Sequence, residues 1–76
     1  MSTSGKPTVL GVKLGARIRA LRKKKEWIQA DLAAHTEMDR GHISEIENGK
    51  RAINIITLQV LARALDTTMS ALLKGL

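Results

Sequence analysis

Aliphatic residues that recur every three, four or seven positions constrain the fold of this chain more than any other feature. In the first such segment they are Leu10, Leu14, Ile18 and Leu21, which places them on one face of an α-helix. No segment alternates apolar and polar residues over the length of a strand. The pattern therefore predicts an all-α chain with one aliphatic core. The other residues expected to face inward are Leu32, Ala33, Ile43, Ile46, Leu58, Leu61, Ala62, Leu65, Met69, Leu72, Leu73 and Leu76.

Capping and stop signals divide the chain into five predicted helices. Asp39, Asn54 and Thr68 each precede a periodic segment and are expected to act as N-caps. Residues 48–49, Asn-Gly, form a helix stop signal. Helix two has no such cap, since Ile28 offers no capping oxygen, at an expected cost of about 1 kcal/mol. The predicted helices cover residues 9–25, 29–36, 40–47, 55–65 and 69–75.

The charge of the chain favours a polyanionic partner. Its 76 residues include 13 Lys and Arg against 7 Asp and Glu, which gives a net charge of +6. This balance favours nucleic acid first and an anionic membrane second. The absence of cysteine excludes disulfides and thiolate metal sites, and no apolar run approaches the roughly 20 residues of a membrane span. We expect a cytoplasmic protein with one domain, residues 9–76, behind a flexible arm, residues 1–8.

The segment from Gln29 to Gly49 carries the strongest functional signal. It predicts two short helices joined by a tight turn at residues 37–38. Ala33 supplies a small side chain where the two helices cross, and Ile43 and Ile46 anchor the second helix inward. The other face of that helix and its N-terminus then point to solvent, a geometry that fits the DNA major groove.

From about residue 14 to residue 76 the chain resembles the phage-repressor/Cro-type helix-turn-helix regulators, also called the xenobiotic-response-element family. The matching motifs are IRALR in helix one, QADLA in helix two, HISEIENGKR in helix three and TLQVLARAL in helix four. The DRGHIS start of helix three is also similar to the controller proteins of restriction–modification systems. The resemblance implies a compact five-helix DNA-binding domain, with helices two and three as the helix-turn-helix and double-stranded DNA as its partner.

The resemblance also implies which side chains contact DNA. Arg40 is expected to read a base, because a guanidinium can bond guanine O6 and N7 together. Gly41 would permit close approach, and His42 would touch a phosphate or a base edge. Glu45 is expected either to accept from cytosine or to orient Arg40. The base-contact set is Arg40, Gly41, His42, Ser44 and Glu45, and the phosphate-contact set is Gln29, Asn48, Lys50 and Arg51.

Two matching positions concern how helix three is held. Arg22 and Glu47 correspond to a family pair that bridges helix one to helix three, and they would fix the orientation of helix three. Position 37, where the family often has glycine, is Glu37 here. A left-handed backbone at that residue would cost about 1 kcal/mol.

A second apolar stripe on helix four is predicted to form a dimer interface. It consists of Ile56, Val60 and Ala64, with Leu76 at the end of helix five. A two-fold dimer would place two recognition helices about 34 Å apart, one turn of DNA, on a palindromic operator. The stripe has a second interpretation, as extra core beneath residues 50–53.

The sequence thus predicts a homodimeric transcription regulator that uses no cofactor, metal or small-molecule ligand. The alternative is the antitoxin of a toxin–antitoxin module, which would bind DNA and co-purify with a protein partner. We expect no enzymatic activity, because the sequence offers no nucleophile–base pair, metal-ligand cluster or phosphate loop. Membrane association is not expected either, since the core requires the apolar face of helix one.

Overall fold

Five α-helices follow one another along residues 7–76, which are the residues described by the computed structural model. They are α1 (Val9–Lys24), α2 (Gln29–Thr36), α3 (Arg40–Glu47), α4 (Ile55–Ala64) and α5 (Met69–Leu73). The predicted all-α, five-helix fold is confirmed, and every helix begins where the sequence predicts. Helices α1 and α4 end one residue earlier than predicted and α5 two residues earlier, because those residues lie in turns. Within residues 7–76 none of the helices combines the length and hydropathy that crossing a bilayer requires.

The core takes at least one residue from every helix, as the aliphatic spacing predicts. The most deeply buried side chains are Ile18, Leu32, Ile43, Ile46, Leu61 and Leu72. Two predictions of inward-facing residues are wrong, since Leu10 is 56% exposed and Leu73 is 42% exposed. The other helices cover α1 only from Leu14 onward. The five-residue helix α5 buries the face that carries Leu72, and its neighbour Leu73 lies about 100° around the helix axis.

Side-chain caps define the start of three helices. The hydroxyl of Thr8, the last residue of the predicted arm, accepts from the Gly11 N–H at 2.9 Å and so caps α1. Asn54 and Thr68 cap α4 and α5 as predicted. Asp39 occupies the N-cap position of α3, but its exposed carboxylate makes no capping hydrogen bond, which corrects that prediction. Residues 1–6 of the predicted arm lie outside the described residues.

A residue with left-handed backbone closes the end of each helix. These residues are Glu26, Glu37, Gly49, Asp66 and Gly75, with φ between 56° and 77°. The left-handed conformation expected for Glu37 is therefore present, and two further acidic residues share it. In the turns that contain Gly49 and Asp66, two successive backbone N–H groups donate to carbonyls of the preceding helical turn. The short turns place α2 and α3 side by side over α1 and α4.

Candidate nucleic-acid interface

Helix α3 turns one face into the core and presents the other to solvent. Ile43 and Ile46 are fully buried, and Glu47 is also buried. The predicted base-contact residues occupy the remaining surface, where Arg40 and Gly41 are exposed and His42, Ser44 and Glu45 are half-buried. The structure thus brings all five residues of this predicted set to one helix surface, next to the exposed Asn48 and Lys50.

A buried ion pair connects α1 to the C-terminal end of α3. The Arg22 guanidinium donates through Nε to Glu47 Oε2 at 2.6 Å and through Nη2 to Oε1 at 3.0 Å. Its Nη1 donates to the Trp27 carbonyl at 2.6 Å. The hydrogen bond with Glu47 raises the pKa of Arg22 above its ordinary value, against the lowering effect of burial. The pair therefore joins α1, the following turn and α3.

Gln29 adds α2 to this network. Its side-chain amide donates to Glu47 Oε1 at 3.1 Å. The resemblance implies that Gln29 contacts a phosphate, and in this structure its amide nitrogen contacts the carboxylate that anchors α3. The N-terminus of α2 is therefore positioned by the same ion pair that positions α3, so the two helices of the motif share one anchor.

Close backbone contact holds the end of α3 against α1. A Cβ added at Gly15 would lie 2.6 Å from the Glu47 carbonyl oxygen, too close for any side chain. Gly49, at φ 72°, turns the chain beside Val12, where an added Cβ would lie 2.6 Å from the Val12 nitrogen. Only glycine at these positions lets α1 and the end of α3 approach so closely.

Glu45 forms its ion pair on the side away from the helix start. Arg51 donates through Nε and Nη2 to Glu45 Oε1 at 3.1 and 2.7 Å. The loop after α3 therefore supplies the partner of Glu45 in this structure, where the resemblance implied a cytosine or Arg40. Asn48, the C-cap of α3, donates its side-chain amide to the Ser44 carbonyl at 2.9 Å.

The role of Gly15 was missed by the sequence analysis. The sequence feature that could have indicated this role is a glycine inside an otherwise regular amphipathic helix. Such a glycine destabilises the helix by about 1 kcal/mol relative to alanine, so its presence suggests that close packing requires it. Arg17 was also missed, and it donates to the carbonyls of Leu72 and Lys74 at the end of α5. No residue pattern pointed to that contact, because it joins positions more than 50 residues apart.

The predicted dimer stripe divides into two environments. Ile56 is 65% exposed and Val60 is half-buried. Ala64 and Leu76 pack partly against the core, so these two contribute less free surface than the sequence analysis assumed. Ile55, which the stripe did not include, is 68% exposed.

Basic residues lie near the C-terminal end of α3. Arg19 and Lys23 on α1 line a shallow concave surface that reaches Asn48, and Lys50 is exposed beyond the helix end. Within residues 7–76, no three His, Asp or Glu side chains converge in a group suited to a metal ion. The site therefore combines a polar helix surface, whose side chains can donate to and accept from base edges, with nearby cations. A surface that binds a duplex requires both.

Comparison with known proteins places this geometry among DNA-binding regulators. Residues 18–72 match the helix-turn-helix family. The control protein C.MunI of a Mycoplasma species is 36% identical over 62 residues, which covers 80% of this chain and 84% of that protein. The restriction–modification controller C.AhdI from Aeromonas hydrophila superposes with a TM-score of 0.78 at 36% identity, over 80% of this chain and 92% of that chain. C.Esp1396I, a controller solved as a tetramer in complex with its natural 35-base-pair operator, superposes with a TM-score of 0.77 at 29% identity, over 86% of each chain.

Proposed function

Because this chain belongs to the helix-turn-helix family, we propose that it is a transcription regulator that binds a palindromic DNA operator as a homodimer. The family match over residues 18–72 agrees with the resemblance inferred from the motifs. The observation that carries the proposal is the division of α3 into a buried face and a polar exposed face, held in place by the Arg22–Glu47 pair. A rigid helix with one free polar face is what major-groove readout requires.

We assign the regulator to the restriction–modification controller type. This chain aligns with most of the length of both C.MunI and C.AhdI, so the similarity extends beyond the two helices of the motif. The operator complex of C.Esp1396I supports DNA as the ligand.

In the proposed complex, α3 lies in the major groove and its flanking residues hold the backbone. Arg40 reads a guanine, and Gly41, with open space around its Cα, allows the helix start to approach the bases closely. The N-terminus of α2 at Gln29 and the exposed Lys50 meet phosphates on either side. Each phosphate neutralised contributes about −0.9 to the log–log slope of affinity against salt.

Selection of bound sequences from random duplexes tests the proposal. We expect enrichment of a two-fold symmetric sequence, because a symmetric dimer reads two equivalent half-sites. Recovery of no enriched sequence would contradict sequence-specific binding, and an enriched but asymmetric site would contradict the palindrome.

The proposed dimer surface centres on Ile56, which is apolar and largely exposed. Ile56→Lys should shift the protein from dimer to monomer in sedimentation velocity, because it places a charge in an apolar contact. Val9→Lys is the matched control, since Val9 is equally apolar, is 74% exposed and lies on α1. An unchanged dimer in the Ile56→Lys variant would contradict this surface.

A further inference from the structure

Two residues expected to contact DNA separately are bonded to each other. Glu45 on the exposed side of α3 and Arg51 in the loop after it form an ion pair through a single carboxylate oxygen, Oε1. Their side chains are 38% and 39% exposed, so both members of the pair remain partly open to solvent. Glu45 was expected to act on a base and Arg51 on a phosphate.

The turn after α3 builds this pair into the fold. The Gly49 N–H donates to the Ile46 carbonyl at 3.1 Å, and the Lys50 N–H donates to the Glu45 carbonyl at 2.9 Å. These two bonds, with left-handed Gly49 between them, close a Schellman motif that returns the chain along the helix. Arg51 is thereby placed beside a residue six positions earlier, and the close packing of Gly49 on α1 keeps the turn in place.

The bonding pattern leaves one carboxylate oxygen of Glu45 available to another donor. Nε and Nη2 of Arg51 both donate to Glu45 Oε1, so Oε2 takes no hydrogen bond from Arg51. A carboxylate that enters a groove between two rows of phosphates is repelled, unless a cation compensates its charge. Arg51 supplies that cation, and a carboxylate oxygen in the major groove accepts from the N4 amino group of cytosine.

We propose that Glu45 and Arg51 act as one neutral base-reading unit, in which Glu45 Oε2 accepts from a cytosine amino group and Arg51 is the positioning residue. The inference rests on the proposed DNA-binding function and replaces the separate phosphate contact expected of Arg51. An Arg51 that moved to a phosphate would leave the Glu45 carboxylate uncompensated in the groove, which disfavours the separate arrangement.

A double-mutant cycle on the duplex selected above tests the unit. The variants are Glu45→Ala, Arg51→Ala and the double variant, with dissociation constants measured by fluorescence anisotropy. Arg51→Ala should weaken binding about tenfold when Glu45 is present, because it leaves the carboxylate unpaired. In the Glu45→Ala background the same change should alter binding by less than about twofold, since no carboxylate remains to be compensated.

Lys50→Ala is the matched control, because Lys50 is the adjacent exposed cation and forms no ion pair within the described part of the chain. Lys50→Ala should weaken binding equally in the wild-type and Glu45→Ala backgrounds. It should also reduce the magnitude of the log–log slope of affinity against salt by about 0.9. Arg51→Ala should leave that slope unchanged. Glu45→Ala, which removes both carboxylate oxygens, should abolish the cytosine preference at one position of each half-site.

Three outcomes would overturn the inference. The first is an equal cost of Arg51→Ala in both backgrounds. The second is a salt slope whose magnitude falls by about 0.9 in Arg51→Ala, and the third is retention of the cytosine preference in Glu45→Ala. In each of these the wild-type protein still binds its operator, so the proposed function stands. A wild-type protein that selects no duplex would instead contradict the proposed function itself. Circular dichroism of each variant verifies that it is folded.

Discussion

The two ends of α3 are held in opposite ways. At its C-terminal end, Glu47 is buried in an ion pair with Arg22, and the backbone touches Gly15 of α1. At its N-terminal end, Asp39 makes no side-chain cap, and Arg40 and Gly41 are exposed with open space around the glycine Cα. One end is anchored by α1 and α2, whereas the other projects into solvent.

This difference separates stability from recognition. Changes at the anchored end should lower the free energy of unfolding, because they remove buried contacts or leave a charge unpaired. Changes at the free end should alter DNA affinity and leave the fold intact. The four predictions below test this division, from the largest expected effect to the smallest.

Glu47→Ala should destabilise the fold by about 3–5 kcal/mol, because it leaves the Arg22 guanidinium buried without its partner. Urea denaturation followed by circular dichroism measures the loss. The double variant Arg22→Met with Glu47→Met should lose much less, since a buried pair replaced by apolar side chains leaves no unpaired charge. A single variant as stable as the wild type would show that the pair does not anchor α3.

Gly15→Ala should destabilise by about 1–3 kcal/mol, because its Cβ would overlap the carbonyls at the end of α3 and push the helices apart. Gly41→Ala is the control at the free end, where the added Cβ meets no atom within 4 Å. That variant should gain about 0.5–1 kcal/mol from helix propensity. Equal effects of the two substitutions in thermal denaturation would contradict the comparison.

Arg40→Ala should weaken binding to the selected operator by about 1–3 kcal/mol and relax one base preference. Its free energy of unfolding should stay within about 0.5 kcal/mol of the wild type, because the side chain is exposed. Parallel titrations with operator and random duplexes provide the measurement. A loss of equal size on both duplexes would assign Arg40 to a phosphate.

Glu37→Gly should stabilise the fold by about 1 kcal/mol, because it removes the strain of a left-handed glutamate at φ 56°. The side chain is exposed in the turn between α2 and α3, so operator affinity should not change. Thermal denaturation and anisotropy titrations measure the two quantities. A destabilised variant would mean that the turn stores no strain at this residue.

Local signals predicted most of the fold correctly. Aliphatic spacing and the capping residues Asn54 and Thr68 located all five helix starts, since both act within one helical turn. The errors at Leu10 and Leu73 occur near helix ends, where the neighbouring helices decide burial. The capping bond expected of Asp39 is missing for a similar reason, because a cap needs a side-chain orientation as well as a residue type.

The candidate site was predictable in its composition and less so in its internal bonding. The exposed face of α3 follows from the inward anchors Ile43 and Ile46, whose spacing is visible in the sequence. The pairing of Glu45 with Arg51 depends on how the turn at Gly49 returns the chain. No spacing rule for helices relates residues six positions apart across a helix end.

The sequence by itself determined the number and order of the helices, the core-facing residues of the central segment and the surface that α3 exposes. These properties depend on interactions within a few residues, which a linear pattern records. Only the tertiary structure decided that Gln29 joins the Arg22–Glu47 pair, that Gly15 admits the end of α3, and that Arg51 takes Glu45 as its partner. Such contacts depend on distances between separate elements, and these distances exist only when the five helices pack together.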